Sequence, residues 1–260
     1  MNSVRLSPFT LSFIRNTVAA FAFAVLLTPG SASAQDPTVT LPNNYWQVFD
    51  NSTLAVIHVH YDAHDKIPLH DHSTFPTVYV YLSDSGPVLF SHVEAHPFSY
   101  TRRPVKLGAY RVSPGRIEKH YVENKGDIPT DFLRVELKQL PIRHFTDEFR
   151  GQPPSSLANN LDVTEFSNSD IAVERIVCVA SFSCAIKAAT SPSLIIAFTM
   201  VQITDSQNVP HVTSLRIGAV KWVKAGDSLS LRAESSQAAH VLRILLPSSI
   251  DPKKAVNFAP

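Results

Sequence analysis

The sequence predicts an all-β protein made of two similar units behind a removable leader, and three observations predict it. Short runs rich in Val, Ile, Tyr, Phe and Leu recur between clusters of Pro, Gly, Asn, Asp and Ser, at strand length and with strand composition. No stretch beyond the leader keeps a helical apolar period, although the segment around 144–150 can hold one short helix. The third observation is an internal repeat. "PTVYVYL" (Pro76–Leu82) is answered by "PSLIIAF" (Pro192–Phe198), "GAYRVSPG" (Gly108–Gly115) by "GAVKWVKAG" (Gly218–Gly226), and "FLRVELK" (Phe132–Lys138) by "VLRILLP" (Val241–Pro247). The same order twice indicates two copies of one β unit.

The elements follow in chain order. Arg5 and Arg15 precede the apolar run "TVAAFAFAVLL" (Thr17–Leu27), then "TPG" and "SASAQD", with small residues at Ala32 and Ala34. Basic, apolar and small-residue segments in that order read as a secretory signal peptide over 1–34, cleaved after Ala34. A retained anchor is the alternative, but the run is short for a bilayer. The mature chain is therefore expected in the periplasm or secreted, with no stable membrane insertion after cleavage. The first unit, 44–142, carries "LAVIHVHY", "TVYVYLS", "PVLFSHVE", "GAYRVS" and "FLRVELKQL". Residues 143–169 are polar and turn-rich and read as a linker. Strands resume over 170–250 with "AVERIVCVASF", "SLIIAFTMVQI", "SLRIGAVKWV" and "AHVLRILL", and 251–260 is a tail.

Composition narrows the function. The 260 residues are 44% hydrophobic and 17% charged, enough to bury a real core. With 23 basic and 22 acidic residues the formal charge is +1, so no long-range field gathers nucleic acid. The two cysteines, Cys178 and Cys184 in "CVASFSC", face an oxidising compartment if the chain is exported. In one continuous strand their sulfurs would lie roughly 20 Å apart, so a disulfide requires a turn between them; otherwise they are two buried thiols.

The chemistry concentrates in "IPLHDHSTF" (Ile67–Phe75). In an extended strand His70 and His72 point the same way and can share one metal ion, or they can be two polar residues on a wet edge. This HxH pair, followed by a strand and a turn ending at Gly86, resembles the first cupin motif. "GAYRVSPGRIEKHYVEN" resembles the second: Gly108, a five-residue strand, Pro114 with Gly115, His120, and Asn124 four positions on. The sequence departs from the pattern where a glutamate is expected after the second histidine, at Pro76 and Thr77, and in its displaced Pro/Gly turn.

The resemblance implies two cupin-type double-stranded β-helix (jelly-roll) barrels, with one divalent metal ion (Fe, Zn, Mn, Ni or Cu) on His70, His72 and His120. Without the glutamate the ion keeps its full charge, which favours a small anionic ligand. Weaker pocket or supporting positions are His58 and His60 in "VIHVHY", Tyr79 beside Tyr81 on one strand face, and Glu136 in "RVELK", whose alternative is a surface ion pair. Asn124 reads as a turn residue. Aligning Pro76 with Pro192 puts Ile186 and Ala188 at the positions of His70 and His72, and aligning Gly108 with Gly218 puts Ser230 opposite His120, so the second unit is expected to be structural. The function expected is a secreted metal-binding protein, either a mononuclear metal enzyme of dioxygenase, isomerase or hydrolase type acting on a small anion, or a non-catalytic binder of metal or ligand in the cell envelope. A structural protein with a dead pocket is a third reading, and a homo-oligomer is left open.

Overall fold

Asp36 caps a single helical turn, α1 (Pro37–Thr40), by accepting a hydrogen bond from the Thr38 amide, with Pro37 at the first helical position where no amide is needed. The chain then runs through nine strands: β1 (Tyr45–Asp50), β2 (Leu54–Tyr61), β3 (Lys66–His72), β4 (Thr77–Tyr81), β5 (Val88–His92), β6 (Phe98–Arg102), β7 (Tyr110–Ser113), β8 (Glu118–Asn124) and β9 (Thr130–Leu137). After β10 (Phe149–Gly151) come β11 (Leu161–Ser167), β12 (Ala172–Cys178), β13 (Ser183–Ile186), β14 (Ser193–Ala197), β15 (Val201–Asp205), β16 (His211–Leu215), β17 (Val220–Val223), β18 (Leu229–Ala233) and β19 (Ala239–Leu245). The computed structural model describes residues 36–140, 148–205 and 211–246, so the leader assigned to 1–34 and the tail at 251–260 lie outside the described residues.

Pairing shows the duplication directly. The first unit stacks a sheet of order β1-β2-β9-β4-β7-β10 on one of order β3-β8-β5-β6, and the second stacks β11-β12-β19-β14-β17 on β13-β18-β15-β16. Apart from β10, every strand of the first unit has its counterpart ten strands on. The irregularity that bends β1 between Gln47 and Phe49 recurs in β11 between Thr164 and Phe166. Gly108 and Gly218, at equivalent places before β7 and β17, both take positive φ, +85° and +77°, which a side chain would oppose.

Strand composition decides what faces where. In β8, Glu118, His120, Val122 and Asn124 are buried and the residues between them are not, so one face turns into the barrel. In β4 every residue is buried: Val78 and Val80 face the second unit, while Tyr79 and Tyr81 face the barrel interior with Tyr45, Val59, Tyr61 and Phe132. The core between the two large sheets joins Leu54, Val56, Leu133 and Val135 of the first unit to Val173, Leu194, Ile196, Leu242 and Ile244 of the second. The two barrels thus share one hydrophobic layer. Arg175, fully buried, locks the layer's edge: it holds Glu165 through Nε (2.7 Å) and Nη2 (3.1 Å) and donates from Nη1 to the Gly108 carbonyl at 2.9 Å.

The described part of the expected linker, 148–169, is more structured than a linker. β10 pairs with β7 and β11 with β12, so the segment extends one sheet and opens the next. Of the segment around 144–150, which the sequence allowed one short helix, 149–150 are strand, and 141–147 lie outside the described residues. Both strands sit at sheet edges, half exposed, which is why no apolar run announces them. Phe149 and Phe166 pack together with ring centroids 5.3 Å apart. The turn that a disulfide required is also present. β12 ends at Cys178, the Phe182 amide donates to the Val179 carbonyl, and Cys178 is bonded to Cys184.

Candidate metal centre

The antiparallel register of the smaller sheet assembles the site. His70 on β3 lies opposite His120 on β8, and His120 lies opposite His92 on β5, while His72 lies opposite Glu118. These residues share the inward face. The register of β3 shifts between Ile67 and His70, around Pro68, a residue that cannot donate to a ladder and is at home in such an irregularity. Its carbonyl accepts a hydrogen bond from His70 Nδ1 at 2.8 Å. That contact fixes the tautomer, leaving the Nε2 lone pair for the interior.

Around that lone pair the three predicted histidines converge. Their ring centroids are 4.8 Å apart for His70 and His72, 4.8 Å for His70 and His120, and 5.3 Å for His72 and His120, and one nitrogen of each lies within 4.8 Å of the others. Both nitrogens of His120 are buried without a hydrogen-bond partner among the described residues. Buried polar atoms are seldom left so, and a cation shared by three imidazoles accounts for the arrangement. Burial pushes His70 down to about 4 and His120 down to about 2, and holds His72 well below the usual imidazole range, with Arg134 adding to each. All three are neutral near pH 7, each with one unprotonated ring nitrogen, so the donor set fits a divalent ion. Among the described residues no other group of His, Cys, Asp and Glu converges in this way.

The carboxylate of the usual pattern is absent: Thr77 is buried and its hydroxyl donates to the Phe75 carbonyl. A different carboxylate, Glu118, lies beside the histidines. Its Oε2 accepts from Arg134 Nη1 at 2.8 Å, its Oε1 from Arg116 Nε at 3.0 Å, and the Tyr79 hydroxyl bridges both oxygens at 3.2 Å. The Arg134 charge holds Glu118 ionised far below the ordinary range despite its burial. Glu118 was not singled out from the sequence, although its place two residues before His120 puts it on the same strand face.

The weaker candidates separate. Tyr79 lines the cavity and anchors Glu118. Glu136 is neither a ligand nor a surface ion pair: it is buried and accepts from Arg134 Nε at 3.3 Å. His58 and His60 stand on the outer face of β2, with Val56, and not in the cavity. His58 stacks on Trp46 at 4.2 Å, and both imidazoles bond Asp131 Oδ1, at 3.0 and 2.9 Å. Asn124 ties the β8 turn by donating to the Asp62 and Ile128 carbonyls. His92, which no motif marks, is buried against His120 at 4.9 Å, with Nδ1 on Glu94 at 3.0 Å.

Beside the triad lies a narrow cavity of about 30 Å³, lined by His72, His120, Glu118, three arginines (Arg102, Arg111 and Arg134) and a wall of Tyr61, Tyr79, Tyr81, Phe90, Tyr100 and Phe132. Arg134 is spoken for by Glu118 and Glu136. Arg102 donates to Ser85 Oγ and lies over the Tyr81 ring, and Arg111 lies over the Tyr79 ring at 4.3 Å. The Nε atoms of Arg102 and Arg111 are buried with no acceptor among the described residues. The lining thus carries more positive than negative charge, and the surplus sits next to the triad.

Among its described residues the second barrel has no such centre. Ile186 pairs with Leu229 where His70 pairs with His120, so Leu229 rather than Ser230 takes the third position. Both are buried in an apolar core.

The sequence matches no protein-family model and no curated protein. Solved structures do match. A variant of salicylate 1,2-dioxygenase from Pseudoaminobacter salicylatoxidans superposes with a TM-score of 0.50 at 11% identity, covering 75% of this chain and 70% of that one. Another variant of the same enzyme, in complex with gentisate, gives 0.50 at 11% identity over 75% and 69%. A variant of oxalate decarboxylase from Bacillus subtilis gives 0.50 at 11% identity over 81% and 71%. At this identity the likeness is one of fold, two cupin-type jelly-roll barrels in one chain.

Proposed function

We propose that this cupin-fold protein is exported, holds one divalent metal ion on His70, His72 and His120, and brings a small anion to that ion from the arginine-lined cavity. One observation carries the reading: three neutral imidazoles, His70 and His120 buried and His72 half-buried, with His120 wholly without partners among the described residues, stand beside a cavity whose two free guanidinium nitrogens, on Arg102 and Arg111, have no acceptor of their own there. The bound ion supplies a Lewis-acid centre, and a redox-active one supplies electrons as well. Arg102 and Arg111 bind and orient the anion by charge-assisted hydrogen bonds. Tyr79 and Arg134 keep Glu118 ionised and fixed beside the triad, and the aromatic wall limits water. A cavity of about 30 Å³ admits only a few heavy atoms, since a water needs roughly 10–15 Å³ on this measure. That favours a compact carboxylate over an aromatic one. The disulfide supports export to an oxidising compartment.

The enzymatic form of this reading is metal-assisted conversion of the small carboxylate, with or without oxygen. The second form is capture without turnover, favoured by the lack of a free acid or base in the lining, since Glu118 is committed to Arg134 and Arg116. The test is to purify the mature protein without a histidine tag, load it with each candidate metal, and follow binding, oxygen uptake and product formation with one- and two-carbon carboxylates and with diketones. Turnover selects the enzyme, and saturable binding without turnover selects the capture protein. Metal loading without anion binding overturns the role of the arginines.

A further inference from the structure

Tyr45, on β1 and outside both motifs, has its Oη 2.8 Å from His70 Nε2. His70 Nδ1 is committed to the Pro68 carbonyl, so Nε2 is the atom that must ligate, and the tyrosine oxygen already lies against its lone pair. A metal–imidazole bond is about 2.0–2.1 Å long. An ion on that nitrogen therefore arrives within bonding range of the phenol oxygen, which must either join it or leave.

Leaving is obstructed. Tyr45 is 0% exposed, its ring packed against His70 at 4.9 Å, His72 at 5.4 Å and Tyr61 at 6.0 Å, and its hydroxyl is tied to the Tyr61 hydroxyl at 2.6 Å. The site also lacks a carboxylate at Pro76 and Thr77, so the ion has an oxygen position to fill. We infer that Tyr45 Oη is the fourth protein ligand, in place of the missing glutamate, with the Tyr61 hydroxyl donating a hydrogen bond to it. This rests on the metal reading above and adds to it a ligand from a strand that neither motif includes. Coordination replaces the phenolic proton, which is released to solvent as the ion binds.

A phenolate on an oxidised metal gives a visible charge-transfer absorption that imidazole ligands alone do not. The experiment loads metal-depleted wild-type protein, Tyr45→Phe and Tyr61→Phe with Cu(II) and with Fe(III). It records metal content, visible absorption with phenolate vibrations by resonance Raman, and affinity by competition with a chromogenic chelator. The expected result is one equivalent and a charge-transfer band in wild type, the band kept in Tyr61→Phe, and the band lost in Tyr45→Phe with affinity lowered roughly ten- to hundredfold, the scale on which metal sites lose a supporting group. Wild type that binds the ion without phenolate bands overturns the proposal. So does Tyr45→Phe binding it equally well or more tightly, which would make the phenol a plug on His70. Wild type that takes up no metal removes the metal reading itself, a different outcome. The wild-type spectrum decides the matter even if Tyr45→Phe does not fold.

Discussion

Arg134 is buried between Glu118 and Glu136, and it supplies both carboxylates with their counter-charge. Arg134→Met should therefore cost about 3–5 kcal/mol, because it leaves buried Glu136 without a cation and buried Glu118 with Arg116 alone. A urea midpoint unchanged from wild type would show that the carboxylates had found water instead. Arg111 has the opposite character: it lies over Tyr79 and has no ion pair among the described residues, so its charge is available to a ligand. Arg111→Met should leave metal content unchanged and weaken small-carboxylate binding by about ten- to hundredfold, the worth of a charged hydrogen bond; calorimetry on metal-loaded protein reads both arms. His70, His72 and His120 were legible in the sequence because period-two spacing and the motif's order determine where a strand sends them. Tyr45 and Glu118 were not. One comes from a strand outside the motifs, and the other looks like any charged residue of an amphipathic strand until its arginine partners, from distant strands, are in place. His58 and His60 have the same spacing as His70 and His72 and face the other way, since spacing alone does not say which face is the interior.

At the level of elements, the turn between β7 and β8 positions His120, and Gly115 lets it do so. A Cβ there would lie 2.2 Å from the Thr74 carbonyl oxygen, and backbone cannot rotate aside as a side chain can. Gly115→Ala should push the 74–76 segment away from β8 and cost roughly 1–3 kcal/mol in stability, the usual price of forced overlap. Its denaturation midpoint beside that of wild type reads this cost, and an unchanged midpoint would show that the 74–76 backbone gives way freely. The repeat was readable because β4 and β14, β7 and β17, and β9 and β19 lie in large sheets facing a common core, where burial enforces apolar runs. The edge strands β10 and β11 escaped because half-exposed strands tolerate polar sequence. The assignment of Ser230 missed by one residue because Leu229 follows the end of β17 by six residues, where His120 follows the end of β7 by seven.

In the whole molecule, pH acts through buried histidines in both barrels. Burial pushes His70 down to about 4 and His240 down to about 3, whereas an unfolded histidine takes its proton near 6.5. Between those values the unfolded chain binds more protons than the folded one, so the metal-free protein should lose stability progressively as pH falls from about 6.5 towards 3. Denaturation midpoints that stay flat from pH 7 to about 5 would contradict the burial on which this rests. The shared core makes the barrels interdependent: removing residues 161–260 would uncover the apolar face of Leu54, Val56, Leu133 and Val135 and should leave the first barrel poorly soluble. Beneath all of this lies one claim, that the triad holds a metal, and elemental analysis of untagged wild-type protein beside His70→Ala, His72→Ala and His120→Ala tests it most directly. The account predicts about one equivalent of a divalent ion in wild type, as expected for a single site with ion in excess, and sharply less in each variant. Less than about a tenth of an equivalent in wild type, with every candidate metal supplied, would contradict it.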